Sequence, residues 1–475
     1  HQSIGVPQPL KLFGTKEQKE KYFPRFAEGA ISAFALTEEE VGSDPAKMET
    51  TAILSEDKSH YILNGKKLWC TNGPIADVMV VMANTADPEK DKPEISAFIV
   101  EKDYPGISVD HRCDFMGLRG IQNGLLSFDN VKVPAENLLW DEGRGLALAL
   151  ITLNTGRLTV PAACTGTAKL CINIAKKWGK ERVQWGKPIA EHENGAHRLS
   201  WMAAMTFAME STTWLTSHMA DDGLLDIRIE AAMAKLFCSE AAWEITDHLM
   251  QLRGGRGYER AQSLKSRGEE PYPCERMLRD TRINRIIEGT SEIMRLFLAR
   301  EALDPHLSAV YPLIKRGANI LQKGNAFFHL IKKYSSWYPK QLLTFRTSRS
   351  YKHFGKLKKH FIYIEKTSHR LAIALFHCMA RHGKKIEQQQ LLLNHIVEIG
   401  TDLFAMAATL SHTHMLQTQS NSSSSLLLCE HFCDIAKERI EGHFQQLKKG
   451  KKSKHNELAK KILEGDLSWL EKGII

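Results

Sequence analysis

The chain is organised around residues Met277–Arg300, which read MLRDTRINRIIEGTSEIMRLFLAR. Apolar residues recur at helical spacing after Ser291, so this part predicts an amphipathic helix. Thr290 or Ser291 can cap that helix, and Glu292 in its first turn suits the positive end of the helix dipole. Glu288 therefore lies just outside a helix N-terminus, where its carboxylate could take a proton from a bound molecule. The alternative is an acidic residue that only stabilises the start of the helix.

Length and composition are those of an ordinary soluble chain with room for two or three domains. Its 475 residues are 43% hydrophobic and 25% charged, and the formal net charge of +9 favours acidic ligands, a nucleic acid or an anionic membrane. The nine cysteines are scattered and form no CxxC, which indicates a reducing compartment. No apolar run approaches the length of a membrane span, and no signal peptide is visible. The first residue, His1, favours a fragment or a processed end.

The chain divides by its pattern into four parts. A capping box at Thr15–Gln18 opens a helix near the N-terminus, and short β-rich runs separated by turn residues follow. Asn64–Gly65 is the strongest hairpin-turn signal among those runs. From about Gly143 the chain is helical, and its last part is basic and less sharply patterned. The predicted domains are a helical segment 1–30, a β-domain 31–137, a helical domain 138–305 and a further helical domain 306–475.

The run IIEGTSEIMRLF, preceded by MLRD, resembles the C-terminal signature of the acyl-CoA dehydrogenases, in which the glutamate of EGT is the catalytic base. The order of helices, β-domain and helical bundle is also similar to that family over residues 1–305. A second helical domain is carried by the very-long-chain branch, which the chain resembles most. The resemblance implies an α+β fold, mostly α: a small β-barrel or sandwich middle domain, a four-helix-bundle C-terminal domain and an extra C-terminal helical domain. Residues 1–30 would then be the remnant of an N-terminal helical domain.

Residues 34–44 read FALTEEEVGSD and lead into the β-domain. Main-chain and hydroxyl groups there could hold a planar ring and a phosphate, although a polar loop between helix and strand is the plainer interpretation. In the family this segment contacts FAD. The resemblance therefore implies flavin contacts from Phe34, Leu36 and Thr37, and a contact from Ser43 to the phosphates or CoA. Where this chain continues with glutamates after Thr-Glu, the family has a proline, so the shape of the loop is expected to differ.

Residues 68–73 read LWCTNG and are predicted to close the hairpin. Trp69 and Thr71 occupy alternate positions, so on a regular strand both side chains point to one face. The indole could lie against a flat cofactor while the hydroxyl donates a hydrogen bond to it, and a plain surface pair is the alternative. In the family the equivalent pair packs on the flavin with the threonine near N5. The resemblance therefore implies that Trp69 and Thr71 bind the flavin.

Residues 154–157, in the stretch LNTGRLTVPAA, are predicted to open a helix. Arg157 would otherwise be an exposed cation, but the resemblance implies that it contacts CoA. One branch of the family carries its catalytic base immediately before this arginine. Gly156 occupies that position here, so Glu288 is the single candidate base. The substrate contacts implied by the resemblance are Ser43, Asn154, Arg157 and Gly289.

Two further segments match the family. Residues 181–189 read ERVQWGKPI and match its RxxFG motif, with tryptophan in place of phenylalanine, and the arginine would pair with the FAD diphosphate. Residues 251–257 read QLRGGRG, a weak glycine motif that is usually only a turn. In the family both segments come from the neighbouring subunit and cradle the adenosine half of FAD, which implies a homodimer. The FAD contacts implied by these segments and by the EGT motif are Arg182, Trp185, Gln251, Gly254, Gly255, Thr290 and Glu292.

Other motifs indicate packing rather than chemistry. His412 with His414, and Cys429 with Cys433, lack a clean four-ligand set, so no metal site is predicted. There is no GxSxG elbow, no Walker lysine loop and no GxGxxG after a strand. The basic and aromatic stretch Arg346–Lys359 could lie on an anionic membrane, although a solvated helix face is the plainer interpretation.

The sequence thus predicts an FAD-dependent dehydrogenase of long-chain fatty acyl-CoA thioesters in β-oxidation, which forms trans-2-enoyl-CoA. Glu288 would remove the α-proton, and exclusion of water should raise its pKa. The expected partners are the acyl-CoA, an electron-transfer flavoprotein and a second copy of the chain. A peripheral membrane contact through the C-terminal domain is also expected, and no nucleic acid. The expected location is the bacterial cytoplasm or the mitochondrial matrix. The alternatives are a weak or inactive assembly or scaffold protein of this fold, and an acyl-CoA oxidase.

Overall fold

The computed structural model describes residues 2–85, 94–223, 226–314, 319–343, 351–420, 423–449 and 454–473. Three short helices come first, namely α1 (Gln2–Gly5), α2 (Pro7–Phe13) and α3 (Lys16–Ala27). The predicted capping box is confirmed, because the Thr15 hydroxyl accepts a hydrogen bond from Gln18 N and the Gln18 side chain accepts one from Thr15 N. The Gln18 amide also donates to Glu136 O at 2.8 Å and to Leu138 O at 2.9 Å. These bonds fix α3 against the β-domain.

The described residues of the β-domain form one mixed sheet of eight strands, which are numbered in chain order: β1 (Ser32–Ala35), β2 (Thr51–Leu54), β3 (His60–Thr71), β4 (Val78–Asn84), β5 (Ile95–Glu101), β6 (Ile107–Arg112), β7 (Asn123–Pro134) and β8 (Leu138–Leu139). Their order across the sheet is β6-β7-β3-β2-β4-β5-β8, and β1 pairs in parallel with β4. Two cores cover the central strands β4 and β5, which explains why both strands are apolar along their length. One core includes Phe98 and Leu126 of the sheet, and the other joins Val80 and Ile99 to Leu148 of the helical part.

The hairpin turn predicted at Asn64–Gly65 is wrong. β3 runs through both residues, and the turn that joins it to β2 is closed by Ser55, whose N–H bonds to His60 O at 2.9 Å. Gly65 has a φ of 144°, and a Cβ there would lie 2.6 Å from Thr50 Oγ1. The pairing of β3 with β7 shifts its register between Leu63 and Gly65. The glycine therefore marks a β-bulge packed closely on the neighbouring segment.

The second half of the chain is helical, and one core joins residues 145–253 to residues 390–449. The Phe237 ring of α6 meets the Phe432 ring of α14 edge-on, with centroids 5.9 Å apart. The extra helical region therefore docks on the first bundle through buried aromatic contacts. The helices are α4 (Gly145–Glu181), α5 (Glu193–Asp222), α6 (Arg228–Arg253), α7 (Gly255–Tyr258), α8 (Ala261–Ser266), α9 (Cys274–Arg282), α10 (Ser291–Ile314), α11 (Ile320–Leu342), α12 (Lys358–His382), α13 (Gln390–Ser420), α14 (Ser423–Lys449) and α15 (His455–Leu463).

Three helices differ from the sequence expectations. α10 runs through the boundary predicted at residue 305 and contains Pro305 and Pro312. By length and composition alone, α4 and residues Gln390–Gln419 of α13 would be long and apolar enough to cross a membrane. The sequence analysis expected no such run. Both helices contribute buried side chains to the shared core, and a core helix has the same composition.

The packing predicted for the histidine and cysteine motifs is confirmed for all four residues, since the His414 ring meets the Phe354 ring edge-on with centroids 4.8 Å apart. His412 stacks on Phe207 with ring centroids 5.2 Å apart, and Cys429 and Cys433 are fully buried in the shared core. Within the described parts of the chain, no group of three His, Cys, Asp or Glu side chains could hold a metal ion. Part of the stretch Arg346–Lys359 lies outside the described residues. In the described part of this stretch, the ring centroids of Phe354 and Phe361 are 4.2 Å apart, so the apolar side chains of the stretch face inward.

Candidate active site

The Glu288 turn, residues 287–290, leads into α10. Glu288 and Gly289 both have a positive φ, 56° and 89°. Gly289 adopts a φ that favours glycine, and a Cβ there would also overlap Cε at the flexible end of Met294. The predicted cap is confirmed, because Thr290 Oγ1 accepts a hydrogen bond from Ile293 N at 3.2 Å. A left-handed glutamate is uncommon and marks a position where the backbone is held in a strained conformation.

The Glu288 carboxylate faces α4 at Gly156. A Cβ at Gly156 would lie 2.6 Å from Glu288 Oε2, so a side chain there would occupy the space of the carboxylate. The structure gives this buried oxygen no hydrogen-bond partner among the described residues. Burial raises the pKa of Glu288, as expected, while the Arg157 and Lys235 cations oppose that increase. A carboxyl group with a raised pKa and an unpartnered oxygen is suited to accept a proton.

Arg157 lies in the interior of α4 and does not open a helix, because α4 begins at Gly145. Its side chain is buried rather than exposed. Its Nη1 donates to Asn154 Oδ1 at 3.0 Å, and its guanidinium lies 5.0 Å from the centre of the Phe297 ring. Burial lowers the pKa of Arg157 and Glu288 opposes that change. The structure therefore brings Asn154, Arg157 and Glu288 to one buried space, and Arg157 Nε has no hydrogen-bond partner in the part of the chain that the structure describes.

Lys235, a fully buried lysine of α6, also reaches the site and is not among the residues predicted from the sequence. Its Nζ donates to Gly289 O at 2.6 Å, inside the Glu288 turn. Burial lowers the pKa of Lys235 to about 8, and Glu288 is the largest influence that opposes this decrease. One signal was available, because Ala231, Lys235, Cys238 and Ala242 recur at the helical spacing of a buried face.

Glu240 of α6 holds the end of the turn on its other side. The Ser291 hydroxyl donates to Glu240 Oε1. Arg285 Nη2 lies 2.8 Å from Glu240 Oε2. Lys235 and Glu240 together attach the Glu288 turn to one rigid helix. The sequence analysis did not single out Glu240 either, since charged residues on a helix are usually solvated.

The segment 34–44 is held by a buried ion pair that the sequence analysis did not foresee. Glu38 Oε1 accepts from Lys67 Nζ at 2.6 Å, and both side chains are buried. Burial acts to raise the pKa of Glu38, but the Lys67 cation outweighs it and the pKa is lowered. The same ammonium donates to Leu36 O at 3.2 Å, and Thr37 O accepts from Leu68 N at 2.8 Å. The segment is thus tied to β3 where the flavin contacts are predicted.

The other residues of this segment divide by exposure. Phe34 is buried within β1, while Leu36 and Thr37 are half-buried. The additional acids Glu39 and Glu40 point into solvent, as does Ser43. Glu39, which stands where the family has a proline, therefore lies on the exposed side of the loop.

Trp69 and Thr71 lie at an irregular end of β3. Trp69 has a φ of 54°, and the pairing of β3 with β7 shifts between Lys67 and Cys70. The regular alternation assumed from the sequence is therefore wrong here, because a bulge interrupts it. Asn123 links the two residues instead, since its Nδ2 donates to Trp69 O at 3.2 Å and to Thr71 Oγ1 at 2.9 Å.

The segments 182–186 and 251–257 meet around Trp178 at the end of α4. Its indole nitrogen donates to Leu252 O at 3.1 Å, and the guanidinium of Arg182 lies 5.8 Å from the Trp178 ring. Trp185 forms the tip of a two-residue turn and is 94% exposed. Gln251 is 16 residues beyond Lys235 on α6, so these two residues lie about 24 Å apart along the helix axis. Gln251, Gly254 and Gly255 are likewise exposed.

The β-domain residues fit a flavin. The Trp69 indole is 56% exposed, which is a high exposure for so large an apolar side chain. Beside it, Asn123 Oδ1 is buried without a hydrogen-bond partner among the described residues. A planar ring with polar edges would cover the Trp69 indole and provide a hydrogen-bond partner for Asn123 Oδ1. The β-domain is also joined to the segment before Glu288, because Leu118 N donates to Asp280 Oδ1 at 2.7 Å and Arg279 Nη1 to Met116 O at 2.7 Å.

Three family models match the chain. Residues 33–131 match the acyl-CoA dehydrogenase middle domain, residues 143–303 the acyl-CoA dehydrogenase C-terminal domain, and residues 355–466 the ACAD9/ACADV C-terminal domain. The chain belongs to the acyl-CoA dehydrogenase family, and it is an FAD-dependent oxidoreductase. The predicted α+β fold, the cofactor FAD and the resemblance to the very-long-chain branch are confirmed.

Particular relatives agree with this assignment. The probable acyl-CoA dehydrogenase FadE10 of Mycobacterium tuberculosis is 48% identical over 480 residues, which cover all of this chain and 74% of the relative. The human very long-chain specific acyl-CoA dehydrogenase is 34% identical over 450 residues, covering 93% of this chain and 66% of the relative. An acyl-CoA dehydrogenase of Bacillus anthracis, solved with FAD, has a TM-score of 0.75 at 30% identity and covers 94% of this chain and 73% of its own.

Proposed function

We propose that this protein oxidises long-chain fatty acyl-CoA thioesters to trans-2-enoyl-CoA, with Glu288 as the catalytic base. The observation that carries the proposal is that Glu288 Oε2 is buried beside Gly156 and has no hydrogen-bond partner among the described residues. Support for a long acyl chain comes from the match to the ACAD9/ACADV C-terminal domain and from the very long-chain specific relatives. We also propose that the electrons pass to an electron-transfer flavoprotein, as they do in the family.

The residues divide the reaction between them. Glu288 takes the α-proton of the thioester, the β-hydrogen leaves with its electron pair, and the Cα–Cβ double bond forms. FAD, when bound, supplies the acceptor for that hydride. Arg157 and Asn154 border the same buried space and would hold the CoA side of the substrate. Because its folded environment raises its pKa, Glu288 is a stronger base than an exposed glutamate would be.

The remaining site residues are proposed in two groups. Phe34, Leu36, Thr37, Trp69 and Thr71 would hold the flavin ring, while Thr290 and Glu292 would add contacts from the start of α10. Trp185 and Arg182, with Gln251, Gly254 and Gly255, would hold the adenosine half of FAD in the site of a second copy. The exposure of Trp185, and the separation of about 24 Å along α6 between Gln251 and Lys235, support a shared site in a homodimer.

Two expectations about location are retained as proposals. The bacterial and mitochondrial relatives favour the bacterial cytoplasm or the mitochondrial matrix. A peripheral membrane contact is better assigned to α11 than to the stretch Arg346–Lys359. α11 exposes Phe327 and Phe328 and also carries Lys332 and Lys333, which is the pattern of a helix on an anionic surface. Co-sedimentation with anionic vesicles should fall when both phenylalanines are replaced by serine.

The retained base argues against the alternative of an inactive scaffold protein. Such a role requires the fold but not a buried glutamate with an unpartnered oxygen, since burying a charge costs stability. The alternative of an oxidase keeps Glu288 and differs only in what reoxidises the flavin. Oxygen consumption during turnover separates an oxidase from a dehydrogenase.

The test is the reduction of the bound flavin. The purified protein should be yellow, and anaerobic addition of palmitoyl-CoA should bleach it. Glu288→Gln should keep FAD bound and abolish bleaching, because the amide keeps the shape and cannot accept the proton. Bleaching of the variant at a rate near that of the wild type would refute Glu288 as the base. A yellow wild-type protein that no acyl-CoA bleaches would favour the scaffold role.

A further inference from the structure

Lys235 has no part in the reaction as described above, yet it reaches the base from the core of the bundle. Its Nζ lies 2.6 Å from Gly289 O, immediately after Glu288 in the chain. We propose that Lys235 is a positioning residue: its ammonium group fixes the Gly289 carbonyl and so the conformation of Glu288, and it keeps a positive charge beside the carboxylate. This inference rests on the assignment of Glu288 as the base.

The backbone of the turn needs such a contact. Glu288 and Gly289 are consecutive residues with positive φ, and a non-glycine residue in that region is strained. The strain persists only where the surroundings hold the backbone. Lys235 is fully buried on α6, whose neighbouring Phe237 and Cys238 are core residues, so the anchor itself is rigid.

The charge is placed where packing alone does not explain it. Lys235 donates to a neutral carbonyl, and a buried ammonium group is costly, whereas a methionine would fill similar volume without that cost. The charged and titratable groups that face Lys235 are Glu288 of the turn, Cys164 and Arg157 of α4, and Glu240 of its own helix. Glu288 favours the charged lysine most, and Lys235 in turn lowers the proton affinity of Glu288. Lys235 thus adds to the larger effect of Arg157 in favouring the ionised form of the base.

Two variants separate the hydrogen bond from the charge. Lys235→Met removes both, and Lys235→Gln keeps a neutral donor for the Gly289 carbonyl. Lys235→Met should keep FAD and reduce the flavin at least tenfold more slowly. In both variants the acid limb of the rate should move to higher pH, because loss of the cation raises the pKa of Glu288. Lys235→Gln should recover much of the plateau rate but not the wild-type pH profile.

The measurement is anaerobic stopped-flow reduction of the holoenzyme by palmitoyl-CoA between pH 5 and 9. Ser239→Ala is the matched control, because Ser239 is a buried residue of α6 whose hydroxyl bonds to Leu236 O of its own helix. It should leave the profile unchanged. If Lys235→Met disturbs folding, the pH profile of Lys235→Gln decides the question.

The outcomes separate this inference from the proposed base. Wild-type rates and pH profiles in both Lys235 variants, together with an inactive Glu288→Gln, would overturn the role of Lys235 and leave Glu288 as the base. Flavin reduction by Glu288→Gln would instead overturn the base itself. A change in thermal stability without a shift of the pH profile would reduce Lys235 to a structural residue and overturn the inference.

Discussion

Gly156 of α4 and Glu288 of the turn before α10 border one shared space, with 2.6 Å between a Cβ built on the glycine and the carboxylate oxygen Oε2. A side chain at either position would therefore point into the same place. This contact explains how the family can carry its base at one position or at the other: whichever residue bears the carboxylate, the second must be small. In this chain the glycine leaves the space to Glu288.

Gly156→Ala should impair the reaction without preventing FAD binding. The added methyl group must displace the Glu288 carboxylate, so we expect the rate of flavin reduction by acyl-CoA to fall at least tenfold. Gly166→Ala is the control, because Gly166 lies in the same helix and a Cβ there has nothing within 4 Å. This control should be fully active and more stable by about 0.5–1 kcal/mol, the usual gain of alanine over glycine in a helix. Equal rates in the two variants would contradict the contact.

Because the pKa of Glu288 is raised, activity should rise with pH while stability falls. The folded protein holds the proton of the Glu288 carboxyl group more tightly than the unfolded chain does. The protonated carboxyl group therefore stabilises the fold fully below the ordinary pKa of 4.5, and this stabilisation is lost as pH rises through the pKa of the folded protein. Over that window kcat/KM should rise as the base ionises. Glu288→Gln removes both effects, so its melting temperature should exceed that of the wild type at pH 8 and approach it toward pH 4. A constant difference in melting temperature would contradict the raised pKa.

Local signals in the sequence were sufficient for the caps and for the position of the Glu288 turn. The Thr15 capping box and the Thr290 cap depend on residues three apart, so the sequence contains the whole interaction. The bulge at Gly65 could not be predicted in that way. It depends on Thr50, a residue that only the packed sheet brings beside it. An Asn-Gly pair predicts a turn only where pairing with a neighbouring strand does not hold both residues within a strand.

The energetics of the site likewise depend on residues distant in sequence. Arg157 could be aligned with the family but not predicted as buried, because the Phe297 ring that covers it belongs to α10. Lys235 has a periodicity that marks a buried face, but the carbonyl it binds is 54 residues away. The sequence therefore predicted Arg157 as a site residue but not Lys235, and it left open which residues touch.

The buried pair Lys67–Glu38 should control FAD binding from outside the predicted contacts. Lys67→Met leaves the Glu38 carboxylate buried without its cation, which typically costs about 3–5 kcal/mol. The segment 34–44 should then loosen, with a lower flavin content and a lower melting temperature. Lys66→Met is the matched control, because its exposed ammonium bonds to Asp110 at 3.0 Å on the surface. If both variants retain full flavin, the ion pair does not shape the segment.

A shared FAD site predicts complementation between two inactive chains. Trp185→Ala should lose flavin because it damages the adenosine cradle that each copy offers to its partner, whereas Glu288→Gln keeps that cradle and lacks the base. In a dimer of one chain of each kind, the site with an intact Glu288 receives the intact cradle of its partner. Mixed dimers should form half of the population with one working site each, so about a quarter of all sites should be active. Trp214→Ala, at a 64% exposed tryptophan of α5, should by itself keep both flavin and activity. Differential tags on the co-expressed Trp185→Ala and Glu288→Gln chains would verify that mixed dimers form. If these mixed dimers are inactive, each chain must bind FAD by itself.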